Sequence, residues 1–209
     1  KYHIDPAKVV TVHNAVDFSG REGVEVERGV KDKVVTFLGR ITFQKGPEYF
    51  VEAAAKVLKR TDGVRFVMAG RGDMMNKAIA HVARLGLSDR FHFTGFLRGA
   101  DVQKMFALSD VYIMPSVSEP FGISPLEAMR TNVPSIISYQ SGAAEILKYA
   151  FKVNFWDVDA IADDIYALIK YPTLAKFAAK AGYDEVNNIV WNDATAKLKK
   201  VYESVVGEI

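Results

Sequence analysis

Short runs of β-branched and aliphatic residues alternate with longer amphipathic stretches along most of this chain. That alternation limits the possible folds more than any other feature. Val34-Val35-Thr36-Phe37-Leu38 is the strongest run, and it stops at Gly39. A strand covered on both faces reads this way, as a near-continuous apolar run. Residues 47–60 follow, with Phe50, Ala54, Val57 and Leu58 at helical spacing. Pro47 suits the first turn of that helix, where its missing N–H is not needed. The same grammar predicts strands over residues 64–69, 91–93, 111–114, 135–137 and 152–155. It predicts helices over 73–85, 101–108, 124–131, 143–148 and 157–170, and two more over about 173–187 and 192–206. Strand and helix in alternation imply right-handed crossovers and a parallel sheet with helices on both faces. The expected fold is α/β, a doubly wound parallel sheet of about six strands followed by C-terminal helices. Ligands of such sheets bind outside the carboxyl ends of the strands. The loops after Leu38, Ala69, Phe93, Met114 and Ile137 are therefore where a site belongs.

The 209 residues, 49% hydrophobic and 25% charged, are enough for one sizeable core. We expect a single domain over 1–209. Residues 1–33 read as a linker-like start, with an exposed, charged and glycine-containing connection over 17–33. Residues 34–170 form the Rossmann-like core and 171–209 the terminal helices. The opening residues read as the middle of a longer protein. A formal net charge of +2 gives no general field for nucleic acid, so none is expected as a partner. The absence of cysteine excludes disulfides, thiolate metal sites and a cysteine nucleophile. No apolar run approaches the ~20 residues that span a bilayer. No Gly-x-Gly-x-x-Gly follows the first strong strand and no Walker lysine loop is present, which disfavours a dehydrogenase or a P-loop enzyme.

Two stretches carry charge where a ligand would sit. Gly39-Arg40-Ile41-Thr42-Phe43-Gln44-Lys45-Gly46 places two cations beyond the carboxyl end of the first strand, between glycines. Glycine permits close backbone approach, arginine offers a planar fork to phosphate oxygens, and lysine offers a compact charge. The pair suits a diphosphate, although from spacing alone two solvated surface cations are as good a reading. Ser118-Glu119-Pro120-Phe121-Gly122-Ile123-Ser124-Pro125-Leu126-Glu127-Ala128-Met129 sets two carboxylates on either side of a glycine turn that opens a helix. Ser124 is placed to cap that helix, Pro125 to occupy its first position, and Glu127 to close a capping box. Free amides there make an anion site that needs no metal. Glu119 would reach a bound sugar from before the turn. Glu127 would accept bonds from hydroxyls, or merely close the capping box; local grammar leaves both readings open.

Other candidates have blander readings. Gly70-Arg71-Gly72-Asp73 reads as a strand-to-helix turn capped by Asp73 rather than an adhesion triplet. Asp157, Asp159, Asp163 and Asp164 fall at a helix start, where acids complement the dipole, so no metal is expected there. His81 reads as a helix-surface residue and His92 as a strand residue. Trp156 and Trp191 read as packing residues.

Taken as an ordered set, these motifs resemble glycosyltransferase family 4. Gly39-Arg40 with Lys45-Gly46, and Glu119-Pro120-Phe121-Gly122 with Glu127-Ala128-Met129, carry the likeness, with seven residues between the two glutamates. Val67-Met68-Ala69-Gly70-Arg71-Gly72, Phe93-Thr94-Gly95-Phe96-Leu97, residues 109–116 and Gly142-Ala143-Ala144-Glu145-Ile146 extend it. The resemblance implies the carboxyl-terminal half of a two-domain GT-B enzyme, with an amino-terminal acceptor-binding half absent here. It implies a retaining hexosyl transfer from a nucleoside-diphosphate sugar, UDP-, GDP- or ADP-linked, without a metal or other cofactor. The acceptor would be a carbohydrate, a lipid or a small molecule. It implies a cytoplasmic enzyme, in some members held at the inner membrane face.

By position, Arg40 and Lys45 would hold the diphosphate and stabilise the leaving group. Backbone at Gly122, Ile123 and Ser124, beside Phe121, would bind phosphate and donor sugar. Glu119 would contact the sugar hydroxyls and Glu127 the ribose. Arg71, Gly72, Phe96 and Leu97 would lie near the base, and Gly39 would allow the close approach. The isolated half would bind nucleotide but transfer little sugar. The competing expectation is a non-catalytic nucleotide-sugar-binding or regulatory module of the same fold. One departure stands out: Val12-His13-Asn14-Ala15-Val16-Asp17 resembles the interdomain segment but has alanine where the family has glycine, against a left-handed turn at Ala15.

Overall fold

A computed structural model describes residues 3–16 and 26–207. Among these residues six parallel strands form one sheet: β1 (Lys33–Leu38), β2 (Val64–Ala69), β3 (Phe91–Gly95), β4 (Val111–Met114), β5 (Ser135–Ser138) and β6 (Phe151–Val153). Among the described residues eight α-helices accompany them: α1 (Pro47–Leu58), α2 (Met75–Arg84), α3 (Ala100–Leu108), α4 (Ile123–Arg130), α5 (Ala143–Ile146), α6 (Val158–Lys170), α7 (Pro172–Val186) and α8 (Trp191–Val206). The order across the sheet is β3-β2-β1-β4-β5-β6. The expected doubly wound α/β architecture is present. Of the expected exposed connection, residues 17–25 lie outside the described residues, and most of 26–33 is exposed.

The burial pattern explains why both faces are covered. In β1, Val35 and Phe37 pack with Phe50, Val51, Ala54 and Val57 of α1 and with Ile161, Ile165 and Leu168 of α6. In β4, Tyr112 and Met114 pack on the opposite side with Phe106 of α3 and with Leu126 and Met129 of α4. Stacked and edge-on phenylalanines knit the first layer, with Phe50 5.7 Å from Phe37 and 5.8 Å from Phe66. Asp110 anchors the start of β4. Burial pushes its carboxyl up, but hydrogen bonds from Arg28, the Val34 N–H and Lys33 outweigh that and hold it below its ordinary range.

Local capping departs from the sequence reading at α2. Asp73 does not cap α2: the helix opens at Met75 with no side-chain cap, and the turn is closed by backbone bonds from Met74 N to Ile41 O (3.0 Å) and Met75 N to Gly72 O (3.2 Å). Neighbouring loop backbone has taken the place of the aspartate. Asp157 does cap α6, accepting from Ala160 N, while Asp159 pairs with Lys56 on α1 and Asp163 with Arg60 just past its end. Trp156 and Trp191 are 57% and 49% exposed, and the Trp156 ring stands edge-on to Phe155 at 4.8 Å. His92 lies exposed on β3, and His81 lies partly exposed on α2. Among the described residues no helix is long and apolar enough to cross a membrane.

Candidate functional site

All six strands point their carboxyl ends to one rim, and the chain order reverses between β1 and β4. Crossovers on either side of that point leave on opposite faces and open a crevice. The loop after β1 and the loop after β4 meet there.

The β1 loop is held from two sides. Its Ile41 N–H donates to Arg71 O at 2.9 Å, and Gly39 N–H donates to Ala69 O at 3.0 Å, which binds it to the β2 loop. A side chain at Gly72 would collide with the Ile41 backbone, so the close approach needs glycine. On the other side the Gln44 carbonyl accepts from Val117 N at 2.9 Å, joining it to the β4 loop. A single 3-10 turn over Phe43–Lys45 ends at Gly46, whose φ of 65° places it in the left-handed region before Pro47 starts α1. A Cβ at Gly46 would strike the Pro115 carbonyl.

These contacts aim the cations. The Lys45 ammonium pairs with the Glu119 carboxylate, and both side chains are mostly buried, at 17% and 11% exposed. Arg40 is exposed, and its Nη2 donates to Gln44 Oε1 at 3.0 Å. Glu119 is fixed through its backbone: its N–H donates to Gln140 O at 3.0 Å, and its carbonyl accepts from Gly142 N at 3.1 Å.

The helix beside it starts differently from the sequence reading. Gly122, with φ 97° and ψ 88°, is the cap residue, and α4 begins at Ile123. Ser124 is therefore the second helical residue rather than the cap, Pro125 the third, and Glu127 lies too far along to close a capping box. Glycine in the left-handed region lets the helix open two residues before the expected cap, and it has no side chain to satisfy the first amides. The first turn has no side-chain cap and no acid, so the Ile123 and Ser124 amides form an anion-suited mouth.

Tyr112, fully buried on β4, underlies this mouth. Its hydroxyl donates to Leu38 O at 3.3 Å and shares a hydrogen bond with Ser124. Burial drives its pKa far up, the Ser124 bond opposes that, and the fields of Glu127 and Glu119 add to it. Ser124 thus bonds a hydroxyl that stays neutral within the fields of Glu127 and Glu119. Tyr112 and Gln44 are parts of the site that the sequence reading missed. An apolar strand pattern hides a tyrosine whose hydroxyl reaches the strand end, and Gln44 acts mainly through its backbone.

Further along the rim, the Arg71 guanidinium approaches Gly95. Phe96 is 56% exposed with the Arg98 guanidinium 5.0 Å over its ring, and Leu97 is partly buried against the α3 and α4 side. Every residue expected at the site therefore lies on the carboxyl rim. Lys45, Glu119, Gly122, Ser124 and Glu127 cluster at the β1–β4 crevice. Arg71, Gly72, Phe96 and Leu97 lie at the β2–β3 end.

The fold and this rim define a Rossmann-like α/β domain with a crevice at the point where the strand order reverses. The chain belongs to the family Glycosyl transferases group 1, whose family model matches residues 23–185. It is 32% identical, over 94% of its length and 54% of the relative's, to an uncharacterized glycosyltransferase of Methanocaldococcus jannaschii. It is 27% identical to the D-inositol 3-phosphate glycosyltransferase of Mycobacterium marinum, over 99% of this chain and 47% of that protein. The chain thus spans about half the length of these two relatives. Among solved structures it resembles the C-terminal domain of the group 1 glycosyl transferase LpcC from Francisella tularensis, with a TM-score of 0.70 and 26% identity, covering 76% of this chain and 86% of that one. It shares the fold of Anabaena HepE, solved in complex with UDP and glucose, with a TM-score of 0.74 and 21% identity, covering 83% and 48%.

Proposed function

We propose that this domain is the donor-binding half of a retaining, family 4 glycosyltransferase that moves a hexosyl group from a nucleoside-diphosphate sugar to an acceptor hydroxyl. Residues 1–209 form that half, and an amino-terminal half would bind the acceptor. The observation that carries the reading is the meeting of Lys45 with Glu119 at the β1–β4 crevice, beside the Gly122 mouth of α4. The solved complex of HepE with UDP and glucose supports a nucleotide sugar as the donor.

Breaking the anomeric C–O bond leaves positive charge on the sugar and negative charge on the diphosphate. Lys45, Arg40 and the Gly122, Ile123 and Ser124 amides oppose the negative charge as it forms. Each charge-assisted bond is worth ~1.5–3 kcal/mol. They supply counter-charge of the kind a divalent ion provides, so the proposal needs no metal. Glu119 and Phe121 border the sugar, with Glu119 accepting from its hydroxyls. Glu127 accepts from the ribose. Arg71, Gly72, Phe96 and Leu97 contact the base, and Gly39 lets the ligand approach the loop. Glu119 is not assigned as a nucleophile; the leaving diphosphate assists attack on the same face.

Calorimetric titration with UDP, GDP and ADP tests this. Wild-type protein should bind at least one of them, and Arg40→Ala and Lys45→Ala should weaken that binding. A wild-type protein that binds none would overturn the proposal.

A further inference from the structure

The chain enters this domain along an exposed path through residues 3–11 and then docks. Ala15 and Val16 are buried, and Val16 joins the core face that also holds Phe121, Ala143 and Leu147. His13 sits just before them. Its Nε2 is hydrogen-bonded with Glu145 Oε2 at 2.7 Å, and its ring stands tilted 6.4 Å from that of Phe121.

Phe121 immediately precedes Gly122. Its carbonyl accepts from Ala143 N at 2.7 Å. Gly142 donates to the Glu119 carbonyl at 3.1 Å and lies so close to Pro120 that a side chain would collide with the Pro120 carbonyl. Three pieces therefore close on one another. The entering segment touches Phe121 through the imidazole, it grips α5 through Glu145, and α5 holds the Phe121 turn through backbone bonds.

We infer that His13 is a positioning residue: by tying the entering segment to Glu145 and Phe121, it holds the Gly122 turn in the orientation that aims the Ile123 and Ser124 amides at a phosphate. This rests on the function proposed above, since the phosphate is that of the donor. His13 touches no reacting atom. Glu145 is largely exposed and His13 partly so, and pairs of that kind add little to global stability. The effect of losing the imidazole is thus local to the turn.

The test uses the full chain as wild type, His13→Ala and His13→Gln; glutamine still offers an N–H to Glu145. Calorimetry measures each protein against the best-bound nucleoside diphosphate and against the matching nucleoside, which lacks phosphate. His13→Ala should weaken the diphosphate about five- to tenfold, as for one misaligned charge-assisted bond. It should leave the nucleoside within about twofold, and His13→Gln should recover most of the loss. Equal weakening of both ligands, or an unchanged diphosphate affinity, would overturn the inference. If wild type binds no nucleotide, the function proposed above fails, and hydrogen exchange at the Gly122, Ile123 and Ser124 amides decides this one. Faster exchange in His13→Ala, reversed in His13→Gln, upholds the positioning role; unchanged exchange removes it.

Discussion

Lys45 and Glu119 stand 74 residues apart in sequence, yet their side chains form an ion pair between the β1 and β4 loops, largely shielded from water. On the function proposed above, this mostly buried pair would exchange partners: a diphosphate would offer Lys45 a second anion, and a sugar would offer Glu119 hydroxyl donors.

The two halves of that pair should therefore respond oppositely. Lys45→Ala removes a cation and should weaken nucleoside diphosphate binding about 10- to 100-fold, the worth of one or two charge-assisted bonds. Glu119→Gln releases the ammonium, so diphosphate affinity should hold or rise, while donor hydrolysis or transfer in the full-length enzyme falls by at least about tenfold. Titration and initial rates on the same preparations check both. Loss of diphosphate affinity in Glu119→Gln would contradict the exchange.

Gly122 has a φ of 97°, and an added Cβ would lie 2.8 Å from Met114 Cε. Gly122→Ala should cost about 1–3 kcal/mol, as a residue forced into a disfavoured backbone region does. It should also weaken diphosphate binding by moving the first amides of α4. Gly63→Ala serves as the comparison, because nothing lies within 4 Å of its added Cβ. That substitution should stay within about 0.5 kcal/mol of wild type. Urea melts of both variants decide it, and equal midpoints would refute the strain argument.

Tyr112→Phe removes a fully buried hydroxyl and leaves the Leu38 carbonyl and Ser124 without that partner. The expected loss is about 1–2 kcal/mol, the cost of an unmade buried hydrogen bond. The shape of the core is otherwise kept. Far-UV circular dichroism should be unchanged while the denaturation midpoint drops; an unchanged midpoint would show that the hydroxyl contributes nothing.

Asp164 on α6 has its carboxyl pushed up to about 6, first by burial and then by the charge of Asp163. The folded value lies above the ordinary 3.8. The folded protein therefore keeps a proton that the unfolded chain releases between those values. Stability linked to this group is full below about pH 4 and declines as the pH rises through about 6. Asp164→Asn should accordingly stabilise the protein at pH 7.5 by ~1 kcal/mol, a figure reduced for solvent screening of a partly exposed group. At pH 4 it should change little. Thermal melts at the two pH values test the sign, and a gain confined to pH 4 would reverse it.

Much of the fold was legible because its signals are local. The apolar run of β1 and the spacing of Phe50, Ala54 and Val57 each report a periodicity that one element imposes on its own residues. Element boundaries for β2 and β4 agree with the sequence reading, since flanking glycine, aspartate and proline mark them. The capping reading failed at α4 for an equally physical reason. Ser124, Pro125 and Glu127 satisfy a local rule, but Gly122 can adopt a positive φ, and packing of Met114 and Glu119 around it lets the helix start two residues sooner. Asp73 lost its capping role when the Ile41 backbone supplied the bonds instead.

From the residues alone came the parallel α/β class, the rim where a ligand is expected, and the residue types suited to a diphosphate there. Only the tertiary structure decided which of those residues meet. The order β3-β2-β1-β4-β5-β6 brings the loops after β1 and β4 side by side, joins Lys45 to Glu119, and sets His13 against Glu145 across 132 residues. Hydrophobic periodicity tells each element which face to bury. Which strands become neighbours is settled by how all the helices cover both faces of the sheet at once, and no local pattern contains that information.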